Sequence, residues 1–326
     1  MNLLAFAVIA GMLTLYVLLD GFDLGVATIA PLVARSDDER RVAMQSIGPF
    51  WNGNEVWLIA SGGALFAFFP QAYASSFSGF YLPFMVVLWL LMGRGVALEL
   101  RDHYPSQMWH AFWDAIFTVA SALLIIFFGV ALGNLLRGVP LDANGYFRGT
   151  FAFLLNWYAV LVGVFAIVSL SLHAARFLLV RTAGGVAERA RSLSGWLWAA
   201  NLVLFIAVTA STFAVRGVAQ PWVYGAGVLA FAALASERVL AERPFAAFLA
   251  SSTFLAALLV AAAGTLFPYL IPGFPAGSGG ISIDDAAPNG AALLGILIAA
   301  LLGLTVVIAY GATVFGKMAG KVGAGE

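Results

Sequence analysis

The sequence has no cysteine, three histidines and few charged side chains. Without cysteine, the chain cannot form disulfides, thiolate metal sites or thiol nucleophiles. Charged residues make up 10% of the 326 positions, whereas a soluble domain carries roughly a quarter. Lys and Arg together number 16, and so do Asp and Glu. This balance favours neither nucleic acid nor a polybasic lipid contact.

Apolar residues are abundant instead, at 62% of the chain with a mean hydropathy of +0.97. A span needs about 20 residues to cross a hydrocarbon core about 30 Å thick. We therefore predict an all-α, polytopic transmembrane bundle of about nine spans, forming a single integral membrane domain over residues 1–326. The first run lacks a basic start and is too long for a signal peptide, so we interpret it as a span. The runs predict helices over residues 3–30, 47–69, 77–98, 111–136, 150–180, 193–214, 222–240, 245–271 and 290–315.

Lys and Arg are distributed unevenly between the loops. Cytoplasmic loops accumulate these residues, so their positions indicate the orientation of the chain. With the N-terminus outside, only Arg137, Arg148 and Arg216 fall on the outer side, which predicts an N-out, C-in topology. Residues 272–289 are predicted as an outer loop and residues 183–191 as a cytoplasmic loop.

Two carboxylates interrupt the first apolar run. Asp20 and Asp23 are three residues apart and therefore share one face of a helix. An ion within a span costs about 2.5–3.5 kcal/mol or more, so such residues are usually paired, protonated or exposed to a water path. A proton-handling role is one interpretation. The other is a structural pair between Asp23 and an Arg of the same leaflet.

Polar residues also open the second run, at Asn52, Asn54 and Glu55. This segment is either re-entrant or packed inside the bundle, because these side chains need protein or water around them. Glu55 could exchange a proton through water. Alternatively, Glu55 and the Asn side chains satisfy free N–H groups in the first turn of the helix.

A group of charged residues lies at the inner end of the third run. One interpretation is a solvated, mutually paired collar, and the other makes Glu99 part of the access to Asp20 and Glu55. The group comprises Arg94, Glu99, Arg101, Asp102 and His103.

Imidazole ligands for a redox metal are scarce. His103, His110 and His173 all fall at predicted helix ends, whereas a haem held within spans needs two histidines at mid-depth on facing helices. We therefore expect no metal site and no directly bound cofactor in this chain.

Several motifs resemble subunit II of the cytochrome bd quinol oxidases. They are LDGFDLG at residues 19–25, GPFWNGNEVWLI at 48–59, GGALFA at 62–67, FSGFY at 77–81 and FGVALGNLLRGVP at 128–140, with later similarities at 266–268 and 315–317. The resemblance spans the chain and is most specific over residues 19–81.

The resemblance implies a subunit of the bacterial cytoplasmic (inner) membrane that is not catalytic alone. Its partner, subunit I, would carry haems b and d, oxidise quinol and reduce O2 to water in the aerobic respiratory chain. The implied fold is two four-helix bundles with a peripheral ninth helix. Small accessory subunits, membrane lipid and a structural quinone or lipid are further expected partners, and nucleic acid is not.

The resemblance also implies proton supply from the cytoplasm through Asp20 and Asp23. Many members have Asp where this chain has Asn52, and some of those have Gln where it has Glu55. An amide cannot carry a proton near neutral pH, so Glu55, one helical turn further on, could replace the missing carboxylate. The surrounding polar motif contributes Trp51, Asn52, Asn54 and Trp57.

Two other functions fit the same residues. A proton-coupled secondary transporter would use Asp20 and Glu55 for coupling and broken helices for its substrate. An assembly protein without a proton role would need neither carboxylate for turnover. A haem spectrum in the co-purified material distinguishes the oxidase subunit from the transporter.

Overall fold

The computed structural model describes residues 1–218, 220–288, 290–318 and 320–322. Almost all of its regular structure is helical, which confirms the predicted class. The helices are α1 (Asn2–Val33), α2 (Asp37–Ile47), α3 (Trp51–Phe68), α4 (Pro70–Gly79), α5 (Tyr81–Leu100), α6 (Gln107–Arg137), α7 (Phe151–Leu154), α8 (Trp157–Arg181), α9 (Gly184–Val215), α10 (Trp222–Val239), α11 (Pro244–Leu266), α12 (Ile283–Ala286) and α13 (Gly290–Lys317). A single 3-10 turn, Arg101–His103, follows α5.

Within the described residues, 7 helices are long and apolar enough to cross a membrane. They are α1, α5 with its 3-10 turn, α6, α8, α9, α11 and α13. The other two predicted runs also form helices, α3 and α10, but these are shorter and carry charged residues near one end. Polar residues open α3, and Glu237 and Arg238 lie in the last turn of α10.

Several predicted boundaries are wrong. The predicted helix 77–98 begins inside α4, and α5 starts only after a break at Phe80. The predicted helix 150–180 is divided because Asn156 caps α8 by accepting a hydrogen bond from the Ala159 N–H at 3.0 Å. Residues 183–191 are not a loop, since α9 begins at Gly184.

The segment after α11 also differs from its prediction. The helix predicted to reach residue 271 ends at Leu266, because Tyr269–Pro272 forms a strand, β1, that pairs antiparallel with β2 (Gly280–Ser282). The predicted outer loop therefore contains part of this hairpin and the short helix α12. Its last residue, Asn289, lies outside the described residues.

Helix α1 lies at the centre of the fold, packed against α3, α6, α8 and α11. Small residues allow this close packing, as is common between helices in lipid. A Cβ atom on Gly25 would lie 2.3 Å from the carbonyl oxygen of Leu170 on α8. On α6, a Cβ atom on Gly129 would lie 2.7 Å from the Cα of Gly163 on α8. The positions of α1, α6 and α8 are therefore closely fixed.

Gly25→Ala should destabilise the protein, because the added methyl group must push α1 away from α8. We expect a loss of about 1–3 kcal/mol in unfolding free energy, the usual cost of overpacking. The matched control is Gly11→Ala on the same helix, where nothing lies within 4 Å of the added atom. Thermal unfolding of both variants in detergent measures the difference, and equal stability would contradict the close contact.

Candidate functional site

A buried cluster of charges joins α1, α3 and α5. Arg94 on α5 has 0% of its side chain exposed and lies between carboxylates from the other two helices. Its Nη2 is 2.7 Å from Asp20 Oδ1 and 3.9 Å from Asp23 Oδ2. Its Nη1 is 2.6 Å from Glu55 Oε1. We call these four residues the acidic cluster.

The local sequence explains how the acidic cluster forms. Asp20 and Asp23 project from one face of α1, as their spacing predicts. Because α3 begins at Trp51, Glu55 lies in its second turn and reaches Arg94. Asn54 connects the same turn to α1, since its Nδ2 donates to Asp23 Oδ2 at 2.7 Å and to the Leu19 carbonyl at 3.3 Å.

Charge in the acidic cluster is not balanced by ion pairs alone. One guanidinium faces three carboxylates, and Asp20 Oδ2 and Asp23 Oδ1 are buried without a hydrogen-bond partner among the residues that the structure describes. The hydroxyl of Tyr16 is also buried and unpaired, one helical turn from Asp20. Burying polar oxygens without hydrogen-bond partners is costly, so Arg94 alone does not satisfy the polar groups of the cluster.

Glu55 differs from the other members in its exposure. Its side chain is 22% exposed, whereas those of Asp20 and Asp23 are 0% exposed. Glu55 is therefore the member of the cluster whose side chain reaches the surface of this chain.

The other predicted site residues are distributed around α3 and α5. Asn52 and Glu99 are exposed, and neither belongs to the acidic cluster. Trp51 is half-buried and lies against Gly95, while Trp57 is 4% exposed and lies in a small core group with Tyr16.

The expectation of a solvated collar is wrong for its two arginines. Arg94 lies inside the acidic cluster, and Arg101 is 1% exposed. Arg101 binds Asp37 at 2.5 Å, Asp114 at 2.6 Å and Asp102 at 2.9 Å. Burial alone would raise the pKa of the Asp37 carboxyl, but the hydrogen bond and the charge of Arg101 outweigh it, and this pKa is lowered.

Sequence reasoning placed Arg94 at a helix end because charged residues follow it closely. Arg94 nevertheless lies four residues inside the end of the predicted helix, which indicates that its side chain is not at the surface. A cation inside an apolar run needs a carboxylate partner, and Asp20, Asp23 and Glu55 were the candidates. The sequence does not show which helices are neighbours, so the pairing could not be assigned.

His173 also differs from its prediction. It lies within α8, is 1% exposed, and is not at a helix end. Its Nδ1 is hydrogen-bonded to the Ser251 hydroxyl, and its Nε2 to the Leu18 carbonyl at 3.1 Å. Both ring nitrogens are therefore engaged, which does not fit an axial haem ligand. Among the described residues, no group of three or more His, Cys, Asp or Glu could hold a metal ion.

The structure contains a second buried ion pair that the sequence analysis does not predict. Arg176 on α8 donates through Nε to Glu237 Oε1 on α10 at 2.7 Å. The second oxygen of Glu237, Oε2, has no hydrogen-bond partner in the described part of the chain. This pair lies on a different set of helices from the acidic cluster and joins α8 to α10.

An apolar cavity of about 520 Å³ lies among α1, α6, α8, α9, α10 and α11. Tyr16, Phe128, Phe205 and Leu258 are among the residues that line it, and Ser169 and Thr212 add a few polar atoms. Its volume suits a hydrocarbon chain.

Comparisons with known proteins agree on one family. The family described as "Cytochrome bd terminal oxidase subunit II" matches residues 1–318. A probable cytochrome oxidase subunit 2 of Haemophilus influenzae is 30% identical, with 94% of this chain and 90% of the relative aligned. The cytochrome bd-I ubiquinol oxidase subunit 2 of Escherichia coli is also 30% identical, over 93% and 90%.

A solved structure is similar in fold. The bd oxidase from Geobacillus thermodenitrificans contains a chain that superimposes with a TM-score of 0.78 at 18% sequence identity. The superposition covers 95% of this chain and 96% of that chain.

Arg94→Gln should destabilise the protein more than removal of an exposed arginine. It leaves several buried carboxylates without their cation, and breaking a buried pair typically costs about 3–5 kcal/mol. The control is Arg40→Gln, since Arg40 pairs with Asp114 but its side chain is 39% exposed. Thermal unfolding of the purified variants measures both effects. If Arg94→Gln were no more harmful than Arg40→Gln, the cluster would not depend on Arg94.

Proposed function

The chain belongs to the cytochrome bd terminal oxidase subunit II family, and we propose that it stabilises the haem-bearing subunit I and conducts cytoplasmic protons toward it. As a family member, it is part of a quinol oxidase complex of the bacterial inner membrane and of respiratory electron transport. The haems of this family lie in the partner subunit. Quinol is the substrate of the complex, and this chain contributes no catalytic residue of its own.

The acidic cluster is the observation that carries the proton-conducting role. Reduction of O2 to water consumes protons, which must reach a haem buried in the membrane. Asp20, Asp23 and Glu55 place carboxyl groups that can exchange protons at membrane depth. The guanidinium of Arg94 donates hydrogen bonds to two of them, Asp20 and Glu55. Buried carboxylates with unpaired oxygens are typical of proton relays in membrane proteins. Arg94 would keep the group together while protons are exchanged.

Glu55 would receive protons from the cytoplasm in this arrangement. A polar cleft of about 190 Å³ lies between the start of α3 and the end of α5, lined by Trp51, Glu99 and Arg101 among others. Trp51 lies one helical turn before Glu55, so the cleft ends close to the acidic cluster. Glu99, exposed at the cleft, would be the outermost member of the route. Asn52 cannot titrate and would have only a hydrogen-bonding role.

For the topology, we propose nine spans in an N-out, C-in orientation, with α3 and α10 crossing inside the bundle. One bundle would contain α1, α3, α5 and α6, the other α8 to α11, with α13 at the periphery and residues 1–326 forming one domain. Asn2 Nδ2 donates to Asp284 Oδ1 at 2.8 Å, which puts the N-terminus beside α12. Arg101 binds Asp37, which puts the far ends of α1 and α5 together. Both contacts agree with the order of the helix ends, while the N-out orientation rests on the distribution of Lys and Arg.

The cavity of about 520 Å³ suggests a structural ligand in addition to the substrate. Its apolar lining fits the hydrocarbon part of a quinone or a lipid, which would fill space between the two bundles. Small accessory subunits would bind elsewhere on the lipid-exposed surface.

We propose that subunit I binds to the exposed face of α3. Its exposed residues form a narrow stripe that includes Val56, Ile59 and Phe66. Gly62 lies beside this stripe and Gly63 lies where it meets the groove between α3 and α13, and none of the described residues lies within 4 Å of a Cβ atom added to either glycine. Apolar faces with small residues allow large helical subunits to approach closely in lipid.

Bulky replacements at this surface should therefore lower the yield of assembled complex. Gly62→Trp with Gly63→Trp should reduce co-purification of subunit I several-fold, because the indoles occupy the space of the partner. Gly225→Trp on α10, where the added side chain also meets open space, is the control. Haem per purified copy of this chain measures assembly. Unchanged assembly would place the partner on another face.

The proton role is tested by Glu55→Gln. The amide keeps the size of the side chain and its hydrogen bonding but cannot carry a proton. We expect turnover per haem and proton uptake to fall about tenfold or more while haem content stays at the wild-type level. Asp20→Asn should have a similar effect, with some loss of stability because Asp20 binds Arg94.

Glu242→Gln is the matched control and should leave turnover and proton uptake unchanged, because Glu242 is 89% exposed and pairs with Arg191 outside the acidic cluster. Loss of haem in Glu55→Gln would indicate a structural role. Wild-type turnover and proton uptake in Glu55→Gln would refute conduction through this chain.

A further inference from the structure

Helix α13 is loosely attached along most of its length. It packs mainly against α3, and only Leu293 and Leu297, both in its outer half, are buried. Further along, an apolar groove of about 310 Å³ lies between α13 and the neighbouring helices, with Gly303 and Leu304 on its α13 side. The inner end of α13 therefore needs its own attachment.

That attachment is made by Arg181, the last residue of α8. Its Nη1 donates to the carbonyl of Met318 at 2.5 Å and also to the carbonyl of Gly320. The Val322 N–H in turn donates to the Arg181 carbonyl at 2.7 Å. These three residues follow the end of α13 at Lys317. We call Arg181 and these residues the C-terminal latch.

The guanidinium of Arg181 is chemically suited to bind the carbonyl groups that follow α13. Carbonyl groups at the end of a helix lack intrahelical partners and carry partial negative charge, which a basic side chain can satisfy. Arg181 is 8% exposed, and no carboxylate among the described residues lies within 4.0 Å of its guanidinium. The carbonyls of the C-terminal segment are therefore its principal polar partners.

Arg181 also contacts the residue that precedes α3. Its guanidinium carbon lies 5.3 Å from the ring centre of Phe50, within the range of a cation–π contact. Phe315 of α13 stacks on the same ring, with centroids 4.4 Å apart and planes inclined by 8°. Phe50 is thus held by both α8 and α13.

The position of Phe50 affects the acidic cluster through the first turns of α3. The Phe50 carbonyl accepts a hydrogen bond from the Asn54 N–H at 3.0 Å. The Asn54 side chain binds Asp23, and the next residue, Glu55, binds Arg94. A shift at Phe50 would therefore move the groups that connect α3 to α1 and α5.

We propose that Arg181 is a positioning residue: by binding the C-terminal segment it seats Phe315 on Phe50 and so fixes the start of α3, which carries Glu55. The consequence for proton uptake rests on the proposed function, whereas the positioning of α3 does not.

The positioning of α3 is tested by cross-linking in the complete complex. This chain has no cysteine, so an introduced pair can be studied without background from the chain itself. A Cβ atom on Gly53 would lie 3.5 Å from Cε1 of Tyr310, a ring atom that a cysteine lacks, so Gly53→Cys with Tyr310→Cys is joined across α3 and α13 with a short bifunctional thiol reagent rather than as a disulfide. We expect efficient cross-linking in this background, and a several-fold lower yield when Arg181→Gln is added.

A truncation after Lys317 is the second variant, since it removes the carbonyl acceptors and leaves Arg181 intact. It should lower the cross-linking yield as Arg181→Gln does, and the two changes combined should have no larger effect than either alone. Arg191→Gln is the control, because Arg191 is 47% exposed and lies outside the C-terminal latch. Unchanged cross-linking in Arg181→Gln would overturn the proposal whether or not the chain conducts protons.

Turnover per haem and its pH profile, measured without the cysteines, test the consequence for Glu55. Arg181→Gln and the truncation should each lower turnover about three- to tenfold at wild-type haem content, and should alter the pH profile. Arg181→Lys, which retains a charged donor, should restore part of the activity. Reduced cross-linking with wild-type turnover and pH profile would support the attachment of α13 to α3 through Arg181 but refute its consequence for Glu55. If Glu55→Gln has no effect on turnover, the proposed function fails. Cross-linking alone then tests whether the C-terminal latch positions α13 against α3.

Discussion

The ion pairs of Arg94 are the interaction on which the junction of α1, α3 and α5 depends. A guanidinium without exposure in a membrane protein requires acidic partners, and here they come from α1 and α3 while Arg94 comes from α5. The same contacts bring three helices to one point and place titratable groups there. The same ion pairs therefore serve both the structure and the proposed chemistry. Removal of the Arg94 cation would loosen the contacts between these helices and would also change the net charge of the acidic cluster.

Close packing of apolar residues provides the frame for this arrangement. Gly25 brings α1 against the backbone of α8, and Gly129 does the same between α6 and α8. On the side facing α8, Phe22 stacks on Phe177 with ring centroids 4.0 Å apart and separates this part of α1 from solvent. Glu55, by contrast, is partly exposed at the surface of this chain.

The sequence predicted the helical class and grouped Asp20, Asp23 and Glu55, because helical spacing and the order of the spans follow from local pattern. It could not predict that Arg94 completes the group, since that requires knowing which helices are neighbours. The buried pair of Arg176 and Glu237 was missed for the same reason. Helix boundaries failed where a capping residue such as Asn156 or a strand pairing intervened, because apolar composition does not change there.

The depth of the acidic cluster has an electrical consequence. Asp20 lies 13 residues before the end of α1, or roughly 20 Å along the helix axis at 1.5 Å per residue. In the proposed topology, a proton that reached it from the cytoplasm would cross part of the transmembrane field, and a full crossing corresponds to about 2.3 kcal/mol per 100 mV. Protonation of this site would therefore move charge across part of the insulating layer. The membrane voltage would then influence how readily the site takes up a proton.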